Sequence, residues 1–262
     1  MKSALSFTTG LITLSWAATA AAQTPALPSG GAPDAGTLVL SGSTRVRFEA
    51  IEGQPRAGFN DRDDLVSIRS ILTAEYARGP WRFGAEVYDS RAYGADRGTP
   101  IGTNEVNTLE LVQAYAAVTV DQPLPGVSSL KLQAGRFLLN LGSRRLVAAD
   151  DYRNTTNGYT GLRADLAWPD GTQATLIYTQ PQMRRPDTLD AVLDNRRGSD
   201  RASDDLVLWG GLLARPRTIG ETTAEVSFFR LTERDTPALP TRDRALSTLS
   251  FRLIKTPARG RF

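Results

Sequence analysis

Thr44-Arg45-Val46-Arg47-Phe48-Glu49-Ala50 is the stretch that decides the fold. Its odd positions are charged from Arg45 to Glu49, and its even positions at Val46 and Phe48 are apolar. Side chains of a strand point to opposite faces with a period of two. One face therefore carries Arg45, Arg47 and Glu49, and the other carries Val46 and Phe48. A wall with one charged face and one apolar face suits a barrel with a polar interior and a lipid-facing exterior.

Working outward, the same alternation predicts ten strands, at 37–50, 65–77, 81–91, 108–120, 129–136, 159–168, 172–180, 205–214, 222–232 and 244–255. Their lengths suit the roughly 9–11 tilted residues that cross a bilayer. Short gaps rich in Pro and Gly, such as Arg78-Gly79-Pro80 and Pro169-Asp170-Gly171, favour tight turns. They alternate with long gaps at 51–64, 92–107, 137–158, 181–204 and 233–243. Outer-membrane barrels have short periplasmic turns and longer external loops. The expected fold is all-β, an antiparallel up-and-down transmembrane β-barrel.

Charge parity tests this reading, because Arg or Lys facing lipid at the bilayer centre costs about 2–4 kcal/mol. Arg69 and Glu75 oppose Ile68, Leu72 and Tyr76. Arg82 and Glu86 oppose Trp81, Phe83 and Val87. Lys131 and Gln133 oppose Leu130 and Leu132, and Arg163 and Asp165 oppose Leu162 and Leu166. Three places depart. Glu110 shares the parity of Val112, near the external end of its strand. Arg136 shares the parity of Leu132, so a bulge or strand end is expected near Gly135. Leu206 to Leu213 is apolar on both faces, so a loop is expected to cover it from inside. Tyr76, Trp81 and Trp168 lie on the apolar parity beside short turns, where an aromatic girdle belongs.

Residues 1–22 read as a secretory signal peptide, with Lys2, a mildly apolar centre and Ala20-Ala21-Ala22 before Gln23. Residues 23–36 read as a flexible lead-in, and 37–262 as the barrel domain. Thr256 to Gly260 reads as another turn before an eleventh strand. An open sheet edge is not tolerated in lipid, so these strands are expected to be part of a larger barrel.

The chain has no cysteine and no histidine. A Ser-His-Asp arrangement is thus impossible, and no Ser-Lys pair stands at useful spacing. No cofactor or metal site is expected. Acidic clusters at Asn60 to Asp64 and Asp200 to Asp205 match no defined calcium loop and are expected to be solvated surface. Asn154-Thr155-Thr156 fits a glycosylation pattern to which no role is assigned. Lys2, Lys131 and Lys255 are the only lysines among 31 basic residues. Arginine keeps its charge in a poorly solvated wall and binds carboxylates with a two-pronged fork.

Several segments resemble the alginate export family of outer-membrane porins. They are Val39 to Glu49, Ile68 to Val87, Glu105 to Ala117 and Leu132 to Asn154. The last contains Gly135-Arg136, Gly142-Ser143-Arg144-Arg145-Leu146-Val147 and Arg153-Asn154. Phe137 stands where the family usually carries Gln after Gly-Arg. The resemblance implies a larger barrel, of which this chain would be a C-terminally truncated member. It also implies passage of an anionic polysaccharide through an arginine-lined pore.

The candidate pore residues are Arg136, Arg144, Arg145 and Arg153, clustered around one long loop, with Arg45, Arg47, Arg69, Arg82, Lys131 and Arg163 on the strands. The loop is expected to fold inward and narrow the pore. Glu49, Glu75, Glu86 and Asp165 share the lumenal parity, so the strand charges also fit a self-neutralising cross-strand ladder. The expected function is an outer-membrane export channel for an anionic or polar saccharide. The alternative is a secreted or surface β-protein that binds acidic polysaccharide without transport. Expected partners are outer-membrane lipid and the saccharide, with no nucleic acid.

Overall fold

The computed structural model describes residues 36–150 and 152–255. The signal peptide, nearly all of the lead-in and the expected eleventh strand lie outside the described residues. The ten expected strands are present: β1 (Thr37–Glu52), β2 (Arg62–Arg78), β3 (Trp81–Tyr93), β4 (Asn107–Asp121), β5 (Ser129–Leu138), β6 (Gly158–Ala167), β7 (Gln173–Pro181), β8 (Leu206–Ile219), β9 (Thr222–Glu233) and β10 (Ala245–Ile254). They form one antiparallel sheet in sequence order, β1 to β10, and among the described residues the sheet is not closed. A single helical turn, α1 (Leu189–Leu193), lies in the β7–β8 connection.

One face of the sheet is an apolar band. Leu40, Phe48, Leu72, Phe83, Leu132, Leu162, Leu176, Leu249 and Phe251 are all exposed there. Such a continuous exposed surface needs a lipid or protein partner. At its turn end Trp81 and Tyr76 flank Phe83, each ring centroid 6.4 Å from that of Phe83. The opposite face carries the charges and the inward loops. In a barrel wall it is the lumenal face.

Of the three parity departures, two are resolved by backbone irregularity. Between β3 and β4 the register runs Glu86–Gln113 and then Val87–Leu111, so Val112 is an inserted residue. The insertion flips the parity above it. Leu111 and Leu109 are therefore exposed, whereas Glu110 is 2% exposed. Arg136 is the last β5 residue to pair with β4, opposite Ala114. Beyond that pair the β4 edge is open, and Arg136 Nη1 reaches the Leu111 carbonyl at 2.7 Å and the Glu110 carboxylate.

Two glycines permit close approaches. Gly135 has φ +122°, and a Cβ there would lie 2.4 Å from the Ala114 carbonyl oxygen. The Tyr115 ring lies on Gly84, where a Cβ would meet it at 2.4 Å, and its hydroxyl reaches Glu75 at 3.1 Å.

The third departure is explained by packing. Phe137, Tyr159, Ile177, Leu208 and Phe229 lie on the lumenal parity of five successive strands, and all are buried. Leu139, Leu141 and Val147 of the β5–β6 loop cover them. The apolar core of this protein therefore sits on the pore side, as the two-faced apolarity of Leu206 to Leu213 anticipated.

Candidate pore constriction

The β5–β6 loop, residues 139–157, runs along the lumenal face. Its first part is held by the apolar seat just described. At Gly142 an added Cβ would come within 3.0 Å of both Glu225 and Leu212, so the loop lies close against the β8–β9 wall. It then turns, with Arg144 N bonded to Leu141 O at 3.0 Å and Leu141 N to Val147 O at 3.1 Å. Ser143, Arg144, Arg145 and Leu146 are exposed at this turn.

The second part is tied to the opposite end of the sheet. Arg45 Nη2 and Arg69 Nη1 both donate to the Arg153 carbonyl, at 2.5 and 3.0 Å. A carbonyl has two lone pairs and accepts both. Arg47 Nη1 donates to the Tyr152 carbonyl at 3.0 Å. Ser90 Oγ donates to the Asn154 carbonyl at 2.6 Å. The Asn154 side-chain amide donates to the carbonyls of Ile68, Arg91 and Glu105, at 3.2, 3.1 and 2.8 Å. Asn154, Thr155 and Thr156 are all buried, so the glycosylation-like tripeptide is an internal lock.

Two further loops lean on this one. Asn104, in the β3–β4 loop, accepts through Oδ1 from Arg153 Nη1 at 2.8 Å and Arg184 Nη2 at 2.7 Å. Arg184, in the β7–β8 loop, also donates to Asn157 Oδ1 at 3.0 Å. Burial and the nearby Arg153 guanidinium hold the Arg184 pKa below its ordinary value. The β7–β8 loop is fastened to β3 by Asn195, whose amide exchanges two hydrogen bonds with the Ala92 backbone at 2.8 Å each. It is fastened to β4 and β5 by Asp200, which accepts from Asn107 and whose backbone N donates to Glu110 Oε2 at 3.1 Å. Arg136 Nη2 donates to the Asp200 carbonyl at 3.2 Å. Asp200 was expected at a solvated surface. It is instead 8% exposed, because Asn107, Glu110, Arg136 and the Arg185 backbone enclose it.

The ten candidate cations therefore divide by employment. Arg45, Arg47, Arg69 and Arg136 hold loop backbone. Arg153 is engaged by Asn104 and by Asp150 at 3.3 Å. Arg163 pairs with Asp165 at 2.8 Å, and Thr175 bonds the same carboxylate. Arg252, which stood outside the candidate set, makes a two-pronged pair with Glu225 at 2.7 and 2.9 Å. Arg252–Glu225 is a cross-strand pair between β10 and β9, whereas Arg163 and Asp165 stand two residues apart on β6, so the expected cross-strand ladder is only partly formed. Arg82, Lys131 and Arg145 form no ion pair among the described residues. Arg144 stands beside Arg145 at the loop turn.

The sequence does not single out Asn104, Arg184 or Asn195, and it places Asp200 only in an acidic cluster. Each acts through contacts far along the chain. Asn154 appears in the Arg153-Asn154 motif, but its three acceptors lie 86, 63 and 49 residues away.

A family model described as alginate export matches residues 37–254, the whole span of the ten-stranded sheet. The chain belongs to the alginate export family. No curated protein and no solved structure matches it. Family membership and the ten-stranded antiparallel sheet place this alginate export protein among outer-membrane β-barrels with a role in transport.

In this alginate export protein the β7–β8 loop fastening is expected to respond to pH. Burial, reinforced by the Glu110 carboxylate, pushes the Asp200 carboxyl up to about 6 from an ordinary 3.8. An acid whose folded-state pKa is raised holds its proton more tightly in the docked state. Protonation therefore stabilises docking as pH falls through about 6, and the gain is complete below the unfolded value. Hydrogen exchange across residues 182–205, corrected for intrinsic rates, is expected to be slower at pH 5 than at pH 7. Asp200→Asn should remove most of that difference.

Proposed function

We propose that the chain forms the wall of a passive outer-membrane channel for an anionic or polar saccharide of the alginate type, exported to that membrane through residues 1–22. One observation carries this reading. The β5–β6 loop crosses the lumenal face and presents Arg145 at an exposed turn, while Arg82 and Lys131 lie on the same side, and none of these three forms an ion pair among the described residues. Pores select by rings of charge at a constriction. Cations not neutralised by the wall are the ones that remain to attract an anionic chain. The paired charges, such as Arg163–Asp165 and Arg252–Glu225, stiffen the wall instead.

The test is conductance in planar bilayers. The wild-type protein is expected to prefer anions. Arg144→Ala with Arg145→Ala should lower anion conductance, and Arg82→Glu with Lys131→Glu should shift the reversal potential toward cations. Cation preference in the wild type would sink this reading.

The alternative, a secreted binder of acidic polysaccharide without transport, fits the exposed apolar band poorly. Leu249 is 75% exposed and Phe251 67% on the face that would then meet water. Membrane flotation separates the two, since a binder without a membrane-spanning wall stays with the soluble fraction.

A further inference from the structure

We propose that residues 139–157 are a fixed constriction rather than a swinging gate, and that Asn154 is the positioning residue that sets its opening. The proposal rests on the channel reading above. Its support is the way both feet of the loop are held. One foot is apolar and seated on Phe137, Tyr159, Ile177, Leu208 and Phe229. The other is polar and locked to the β1–β3 side by hydrogen bonds around Asn154.

Asn154 is suited to this work by its chemistry. Its side chain is 1% exposed, and its amide hydrogens are spread over three carbonyls from β2, β3 and the β3–β4 loop. Each of these acceptors would be left short of a partner if the side chain were removed, and buried unsatisfied groups are costly. Arg45 and Arg69 grip the adjacent Arg153 carbonyl, and Ser90 grips the Asn154 carbonyl itself. Arg45 and Arg69 therefore act on the pore through the loop. Their guanidinium groups donate to its backbone, and that of Arg69 also lies 5.6 Å from the centroid of the Tyr88 ring on β3. A segment tied at both feet holds Arg144 and Arg145 at one distance from the wall. The lock thus determines both the width of the passage and where its charge sits.

The experiment uses the full chain reconstituted in planar bilayers with potassium chloride as the probe. Asn154→Ala changes no charge. It is expected to raise single-channel conductance by about twofold or more and to add open-channel noise, because the loop moves away from its setting. Arg45→Ala with Arg69→Ala should do the same, and Arg45→Lys with Arg69→Lys should return conductance toward wild type by restoring donors. A direct lining role for these arginines predicts the reverse: lost anion preference with no rise in conductance. That result would overturn the proposal. Heat-modifiable migration on gels identifies folded protein. If Asn154→Ala does not insert, Ser90→Ala with Arg47→Ala loosens the same foot more gently and is read the same way. A wild-type protein that carries no current defeats the channel reading. A conducting wild type with folded variants of unchanged conductance defeats only the fixed-constriction inference.

Discussion

Phe137→Ala is expected to destabilise the folded protein by about 3–5 kcal/mol, the cost of deleting a fully buried aromatic side chain. Phe137 is 0% exposed and lies at the centre of the seat on which Leu139, Leu141 and Val147 rest. Truncation leaves a cavity between the wall and the loop, and neighbours fixed in a sheet cannot close it. The same change at Phe83 is expected to cost well under half as much. Phe83 is 45% exposed on the apolar band, where lipid tails refill the space it leaves. Urea unfolding from liposomes measures both. Equal losses at the two positions would mean that the loop is not a packed core.

Leu162→Arg is expected to cost about 2–4 kcal/mol, the range for a guanidinium facing lipid near the bilayer midplane. Leu162 lies midway along β6, paired with Ala134 and Tyr178, and is 59% exposed on the apolar face. Thr73→Arg is the control. Thr73 lies on the lumenal face and bonds Glu86 Oε2 at 2.8 Å. An arginine there meets a carboxylate in a polar lumen, where such pairs are worth at most about 1 kcal/mol in either direction. The two substitutions add the same group to opposite faces of one sheet. A small loss at Leu162 together with a large one at Thr73 would reverse the assignment of lipid and lumen.

The strands were legible because period-two alternation is a local property, visible wherever one face of a strand is buried or lipid-facing. Their ends were less so. The turn between β8 and β9 is expected at 215–221, but pairing resumes at Ile219–Thr222 after an irregular stretch beyond Arg215, which leaves Gly220 and Glu221 as the turn. The parity of Glu110 is an exception in the sequence pattern. Only the Val112 insertion explains it, and such an insertion is defined by the partner strand. The parity of Arg136 points to a disturbed pairing near Gly135. The disturbance lies mainly in β4.

The candidate cations show the same division. Arg45, Arg47, Arg69, Arg82, Lys131 and Arg163 are chosen in the sequence by type and parity, and Arg136, Arg144, Arg145 and Arg153 by their clustering around one long loop. Their employment is not legible there. Arg45 and Lys131 look alike in sequence, each a cation alternating with apolar neighbours. One grips a carbonyl 108 residues away, and the other forms no ion pair among the described residues.

Sequence alone determined the all-β class, the ten strands, the two faces and the identity of the inward loop, because side-chain alternation and turn chemistry act between neighbours. Tertiary structure alone decided which arginines hold the loop and which form no ion pair among the described residues. It also decided that Asn154 ties the β5–β6 loop to β2, β3 and the β3–β4 loop and that Asp200 is buried. Hydrogen bonds and burial depend on which groups meet in space, and here the meeting groups come from strands and loops separated by most of the chain.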